Sequence, residues 1–453
     1  MKKQTTRLER LGYPLYAMGQ NLIYGFIGTY LSLYFSNYLF LSTTAISILF
    51  SIAKIWDAVN DPMFGAIVDK VNFKKSKFLP WLKVMGFIVP IVTILLFYIN
   101  PEWNMATKLT LASVGYVVWS MCYTVCDVPA FSSLTALTSN VEERTSMLSY
   151  ASIASAFAAI LLVVVLAPKI ETIGFRIIGT IVGLVALPLM VFYPFVAKEK
   201  NKAVSNAHDK PGLKSMFTYL KSNKYLGIFY LSYCINGMLA VSVTLVNYVM
   251  IYLIGGLKYL AIFTAIGVVP LLIIYILIPT ISKKIDRMLL YKFSLISSIL
   301  LSIIVYFVGY KNIYVYGALA IIKTVIATPM GLLAVTFATD CIEYGHFKSG
   351  ERKEGITFSI QTFANKLNGA ISSSLGMAML TWIGFNARAD IQLDTTLSGL
   401  WFCTNIIPAI GAMLSLPILF FYKLKSRDVQ IMANVNDGTL MREESLKMLS
   451  REY

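Results

Sequence analysis

The chain contains runs such as "SIASAFAAILLVVVLA" from Ser152 and "YLAIFTAIGVVPLLIIYILIPTI" from Tyr259. They are apolar on every side and near the ~20 residues that a helix needs to cross a bilayer. With 57% of 453 residues hydrophobic and 14% charged, the chain has more apolar surface than one water-soluble core can hide. Lipid must be the second solvent. In lipid each backbone polar group has to be satisfied inside its own segment, which selects helices.

Polar and Pro/Gly breaks place spans near 14–40, 44–68, 81–99, 107–138, 146–167 and 172–196, and again near 225–254, 259–282, 288–309, 312–338, 356–384 and 396–423. The expected fold is therefore an all-α membrane protein with twelve transmembrane helices in two six-helix halves. Residues 1–197 and 225–423 form the halves, 198–224 a cytoplasmic linker, and 424–453 a cytoplasmic tail. The linker stretch "KEKNKAVSNAHDKPGLKSM" (198–216) reads as a flexible, solvated loop. This is the layout of major-facilitator transporters.

A net charge of +16 raises the question of nucleic acid, and the placement of the charges answers it. Lysine and arginine gather at the N-terminus, in the tail and in alternate loops, as at Lys74, Lys75 and Lys77 and at Lys283, Lys284 and Arg287. That bias marks the cytoplasmic side of an inner, plasma-type membrane and puts both termini there. The five cysteines (Cys122, Cys126, Cys234, Cys341 and Cys403) contain no CxxC pair, so neither a disulfide framework nor a zinc site is expected. The basic opening "MKKQTTRLERLGY" precedes a span too long for a signal peptide, so the first helix is expected to be retained. The two histidines, His208 and His346, fall in expected cytoplasmic loops, leaving no buried imidazole for a proton relay. No GxxxxGK[ST] motif is present, which disfavours ATP-driven pumping, and no cofactor or enzymatic motif is found.

Among the 23 acidic residues, Asp57, Asp61 and Asp127 fall deep inside spans. A carboxylate at that depth costs at least ~2.5 kcal/mol and so calls for a partner or a purpose. In "AKIWDAVNDPMFGAIVDK", Lys54, Asp57 and Asp61 recur at i, i+3 and i+4 spacings and share one helix face, with Asn60 beside it. Two carboxylates with a neutral oxygen suit a small hard cation. Thr124 lies one turn before Asp127 on the fourth span and can complete the shell. The bland reading is a buried salt bridge, but one lysine cannot neutralise three acids, and buried ion pairs are poor at conferring stability. In the second half, Lys366 has Gln361, Thr362, Asn365 and Asn368 around it, a polar patch suited to hydroxyls. Lys323 has fewer polar neighbours; snorkelling or structural pairing would account for it, and its role is left open.

"WDAVNDPMFGAIVDK", "CDVPAF", "DCIEYGHFKSGERKEG" and "FSIQTFANKLNGA" together resemble the glycoside-pentoside-hexuronide cation symporter family, the group that includes the melibiose permease. Order and spacing agree along nearly the whole chain. The resemblance implies cation binding by Asp57 and Asp61, with Asn60 and Thr124 adding oxygens and Lys54 balancing charge. It also implies that Asp127 stands between cation and sugar, with Lys366 near these carboxylates. It departs where melibiose-type members carry a first-span acid: Asn21 stands here, after Gln20. Phe131 replaces a tryptophan. Galactoside specificity is therefore not carried over; a hexuronide, a pentoside and a glucoside all remain open. Tyr24, Tyr30, Tyr123 and Phe131 are candidates to stack on a sugar ring.

The loops after the second and eighth spans pair acids with bases at Asp69 and Asp286, as expected of cytoplasmic gate latches. The same logic covers Asp340 and Glu343 with Arg352 and Lys353. The expected activity is secondary transport, in which Na+ or H+ and a sugar or glycoside move together by alternating access. Asn60 and Thr124 tilt the reading toward Na+. A cation-coupled lysolipid carrier and a non-transporting sugar sensor are the alternatives, and oligomeric state is left open.

Overall fold

The computed structural model describes residues 5–71, 76–138, 141–200, 213–351, 353–389, 391–436 and 438–451. The side chains of Lys54, Asn60, Asp61, Asp69, Phe131 and Arg352 lie outside the described residues.

All regular structure among the described residues is helical. In chain order the helices are α1 (Arg7–Leu33), α2 (Thr43–Lys70), α3 (Leu79–Leu96), α4 (Met105–Leu137), α5 (Val141–Ile160), α6 (Ala167–Val196), α7 (Leu213–Ser222), α8 (Lys224–Met238), α9 (Ser242–Val249), α10 (Leu257–Lys284), α11 (Arg287–Val308), α12 (Ile313–Ser349), α13 (Glu354–Trp382), α14 (Asp394–Leu419), α15 (Ser426–Asn436) and α16 (Arg442–Met448). Short π-helical turns extend α1 to Tyr38, join α5 to α6 and carry α9 to Ile254. Counting α8 and α9 as one broken span gives the twelve membrane helices of a major-facilitator fold.

Local chemistry explains the ends. Thr6 and Glu9 form a capping box, with Thr6 Oγ1 accepting from Glu9 N–H and Glu9 Oε2 accepting from Thr6 N–H. Asn104 and Asn312 cap α4 and α12. Gly174, at φ 81°, breaks α6 near its start, a conformation that only glycine adopts without strain. Gly19 lets α1 approach α6, because a Cβ there would sit 3.0 Å from Ala186 O and Leu189 Cβ.

Two compact units result. The first comprises residues 1–207, 250–264 and 377–396; the second comprises 208–249, 265–376 and 397–453. Two segments of the C-terminal half therefore pack with the first unit. Asn37 Nδ2 donates to Tyr252 OH at 2.7 Å, and the Thr43 and Thr381 hydroxyls meet at 2.6 Å. Phe26, Tyr34, Phe97 and Phe175 form an aromatic centre in the first unit, and Phe229, Tyr291, Phe337 and Tyr422 one in the second. In each unit, large apolar side chains are exposed, such as Leu95 and Ile153 in the first and Ile276 and Phe307 in the second, as expected of a lipid-facing surface.

Two expectations from sequence are corrected, and the tail gains structure of its own. Residues 213–216 are not loop but the start of amphipathic α7. The tail carries two helices, α15 and α16. The stretch from Asp340 to Ser349, including His346, continues α12 and stops at Gly350 in the left-handed region (φ 74°, ψ 0°). His346 is therefore on a helix, while His208 lies outside the described residues.

Candidate functional site

In the first unit, α1, α2 and α4 bring polar groups together in an apolar setting. Gln20 on α1 is buried, and its Nε2 donates to Asp127 Oδ1 on α4 at 2.8 Å and faces Cys126 Sγ at 3.7 Å. Asn21, the next residue, points its amide back to Ala17 O of its own helix at 2.9 Å. Of the two first-span amides singled out from sequence, Gln20 meets the carboxylate and Asn21 does not.

Asp57 on α2 accepts a hydrogen bond from Ser120 Oγ on α4. Ser120, Thr124 and Asp127 follow at i, i+4 and i+7, so one face of α4 carries two hydroxyls and a carboxylate. Thr124 is buried on that face. Sequence reasoning missed Ser120, although its place one turn before Thr124 was the available signal.

Beside this polar face runs a stack of rings. Tyr24 and Tyr123 lie 5.1 Å apart at 28°, Tyr123 and Trp119 5.2 Å at 20°, and Trp119 and Tyr116 6.1 Å at 11°. Trp119 Nε1 is fixed by Thr93 Oγ1 at 3.0 Å. Tyr24 remains about half exposed at the open end of the stack. Tyr30, by contrast, is fully buried among Phe26 and its neighbours, which makes it packing rather than a ring platform. A carboxylate held by a neutral amide, with aromatic faces alongside, can accept hydroxyls and stack against the apolar face of a sugar ring.

In the second unit, Lys366 and Thr362 are both exposed, on α13. Thr362 Oγ1 donates to Phe358 O at 3.0 Å. The polar patch expected around Lys366 is partly used for packing. Asn365 Oδ1 accepts from Tyr233 OH at 2.7 Å, and Asn368 Nδ2 donates to Tyr233 O at 3.4 Å, tying α13 to α8.

The expected gate residues of this unit also find partners. Asp286 caps α11, its Oδ1 accepting from Met288 N–H at 2.9 Å, while its Oδ2 accepts from Ser426 N–H at 3.0 Å. Arg287 Nη1 pairs with Asp340 Oδ1 at 2.9 Å. Glu343 Oε2 accepts from Asn436 Nδ2 of α15 at 2.8 Å. The expected pairing of Asp340 and Glu343 with Lys353 is therefore corrected. Lys353 instead pairs with exposed Glu351 at 2.8 Å, because Gly350 ends α12 and turns the chain after Asp340 and Glu343 have been used by α11 and the tail.

A family model described as MFS/sugar transport protein matches residues 12–426. An uncharacterized symporter, YnaJ, of Bacillus subtilis (strain 168) is 26% identical over 437 residues, covering 94% of this chain and 93% of that one. A glucuronide carrier protein homolog of Escherichia coli (strain K12) is 24% identical over 462 residues, covering 94% of each. Among solved structures, a mutant of the nucleoside transporter NupG superposes with a TM-score of 0.65 at 13% identity, covering 90% of this chain and 99% of that one.

Proposed function

The chain belongs to the MFS/sugar transport family, and from that premise we propose that it carries a sugar or glycoside across the cytoplasmic membrane together with Na+ or H+. The observation that carries the proposal is the pairing of Gln20 with Asp127 beside the Tyr24–Tyr123–Trp119 stack. A carboxylate deep among spans, met by an uncharged amide, keeps its capacity to bind a hydroxyl or a cation. The second carboxylate, Asp57, reaches the same face of α4 through Ser120.

Coupling requires that each ligand favour the state the other binds. A cation at Asp57, with Asp61, Asn60 and Thr124 supplying further oxygens and Lys54 balancing charge, would lower the repulsion felt by Asp127. A sugar hydroxyl at Asp127 and Gln20, with Tyr123 and Phe131 at its ring, would then bind more tightly. Alternating access would be latched at the cytoplasmic ends by Asp69, Asp286, Asp340, Glu343 and Arg352, with both chain termini on that side.

The experiment is uptake of a panel of radiolabelled pentosides, glycosides and hexuronides into proteoliposomes under an imposed Na+ gradient and then an imposed H+ gradient. Gradient-driven accumulation that disappears in Asp57→Asn and Asp127→Asn is the expected result. Equal uptake without either gradient would sink the symport reading.

A further inference from the structure

Within the second unit, a cavity of about 720 Å³ is lined by α9, α10, α11, α12 and α14. Among the described residues, its one charged lining residue is Lys323, and no acidic residue lines it. Lys323 lies ten residues after Ile313, about 15 Å along α12. Measured from that end of the helix, this is half the ~30 Å thickness of a hydrocarbon core, farther than a lysine side chain extends. Among the described residues no carboxylate or hydrogen-bond acceptor meets its Nζ.

The rest of the lining has a matching polarity. Thr324 Oγ1 donates to Ala320 O, Thr328 Oγ1 to Thr324 O, Thr404 Oγ1 to Leu400 O and Asn405 Nδ2 to Trp401 O, at 2.8–3.0 Å. Each of the three hydroxyls has spent its proton on its own helix and presents oxygen lone pairs, and Asn405 keeps its Oδ1. The wall accepts hydrogen bonds, while Lys323 donates three. A complementary ligand supplies several O–H donors and one anionic acceptor. The volume lies within the 300–1,000 Å³ typical of small-molecule sites.

We propose that this cavity is a subsite for a carboxylate-bearing sugar, with the carboxylate on Lys323 and sugar hydroxyls on Thr324, Thr328, Thr404 and Asn405. The proposal rests on the sugar-transport reading for its ligand class and narrows that class to acidic sugars.

The test is equilibrium binding to the purified full chain of D-glucuronate and D-galacturonate, each compared with its neutral amide, alongside counterflow of the same sugars in proteoliposomes. The amides keep ring and hydroxyls and lose only the charge. A charge-assisted hydrogen bond is worth enough to set about a tenfold preference for one acid over its amide. Lys323→Gln should abolish that preference while leaving amide binding unchanged, and Lys323→Arg should keep most of it. A wild-type protein that binds acid and amide alike, or that binds neither, overturns the subsite. So does a Lys323→Gln variant that still folds and still prefers the acid. Neutral-sugar counterflow persisting in those cases leaves the transport reading standing. Lysine-dependent acid binding without counterflow of any sugar supports the subsite and removes the transport reading.

Discussion

Gln20 Nε2 and Asp127 Oδ1 stand 2.8 Å apart, joining α1 to α4 through a neutral donor and a carboxylate. Replacing Asp127 with Asn removes the charge but leaves an amide of similar shape, whereas Gln20→Ala leaves the carboxylate without this donor. If Asp127 holds a sugar hydroxyl, Asp127→Asn should lower sugar uptake at least tenfold, by losing an interaction of about 1.5–3 kcal/mol. Gln20→Ala should mainly raise the apparent KM for sugar. Initial uptake rates across sugar concentrations separate the two.

Ser120 offers a milder handle on Asp57. Its hydroxyl donates to Asp57 Oδ1, and Ser120→Ala deletes the donor without altering any charge. The concentration of coupling cation giving half-maximal uptake should shift several-fold, with maximal uptake largely kept. A cation-activation curve that superposes on wild type would dissociate Asp57 from the coupling site.

Glu9, at the polar start of α1, gives a pH dependence. Burial pushes its carboxyl up, but Lys200 Nζ and the Thr6 N–H, each at 2.7 Å, together with the Lys198 N–H, hold it below its ordinary value of 4.5. A depressed carboxylate contributes stability that is present above its unfolded value and is lost as pH falls through the folded one. Glu9→Gln should therefore lower the Tm of purified protein at pH 7, with a loss of about 1–3 kcal/mol. The gap from wild type should narrow below pH 4.

The Arg287–Asp340 pair, with Asp340 buried, predicts non-additivity. Arg287→Gln or Asp340→Asn alone should each destabilise the second unit, by up to about 3–5 kcal/mol where a buried charge is stranded. The double variant should cost less than the sum of the two. A double-mutant cycle on thermal unfolding measures that coupling, and an interaction energy near zero would remove the pair as a structural link.

Much of this was legible in the chain. The long apolar runs gave the helices because lipid leaves the backbone no other choice, and Asp57 and Asp127 stood out because their surroundings are so apolar. The contact between Ser120 and Asp57 was not legible, since it spans 63 positions and a serine in a span is unremarkable by itself. The continuation of α12 through "DCIEYGHFKS" was hidden by its polarity. Composition marks where lipid ends, not where a helix ends, and the true stop signal was Gly350. Asn365 and Asn368 read as ligand-facing amides, yet one atom of each bonds to Tyr233 of α8.

The 37 residues of α12 amount to about 55 Å of rod, roughly 25 Å more than a hydrocarbon core can contain. Pro329 interrupts that rod between Lys323 and Asp340, and having no N–H it cannot bond to the carbonyl one turn earlier. That turn of the helix is left one backbone hydrogen bond short. Lys323 stands on one side of that turn, and Asp340 and Glu343, which bond to α11 and α15, stand on the other. A ligand bound at Lys323 would therefore act, through that weakened turn, on the groups that hold α11 and α15.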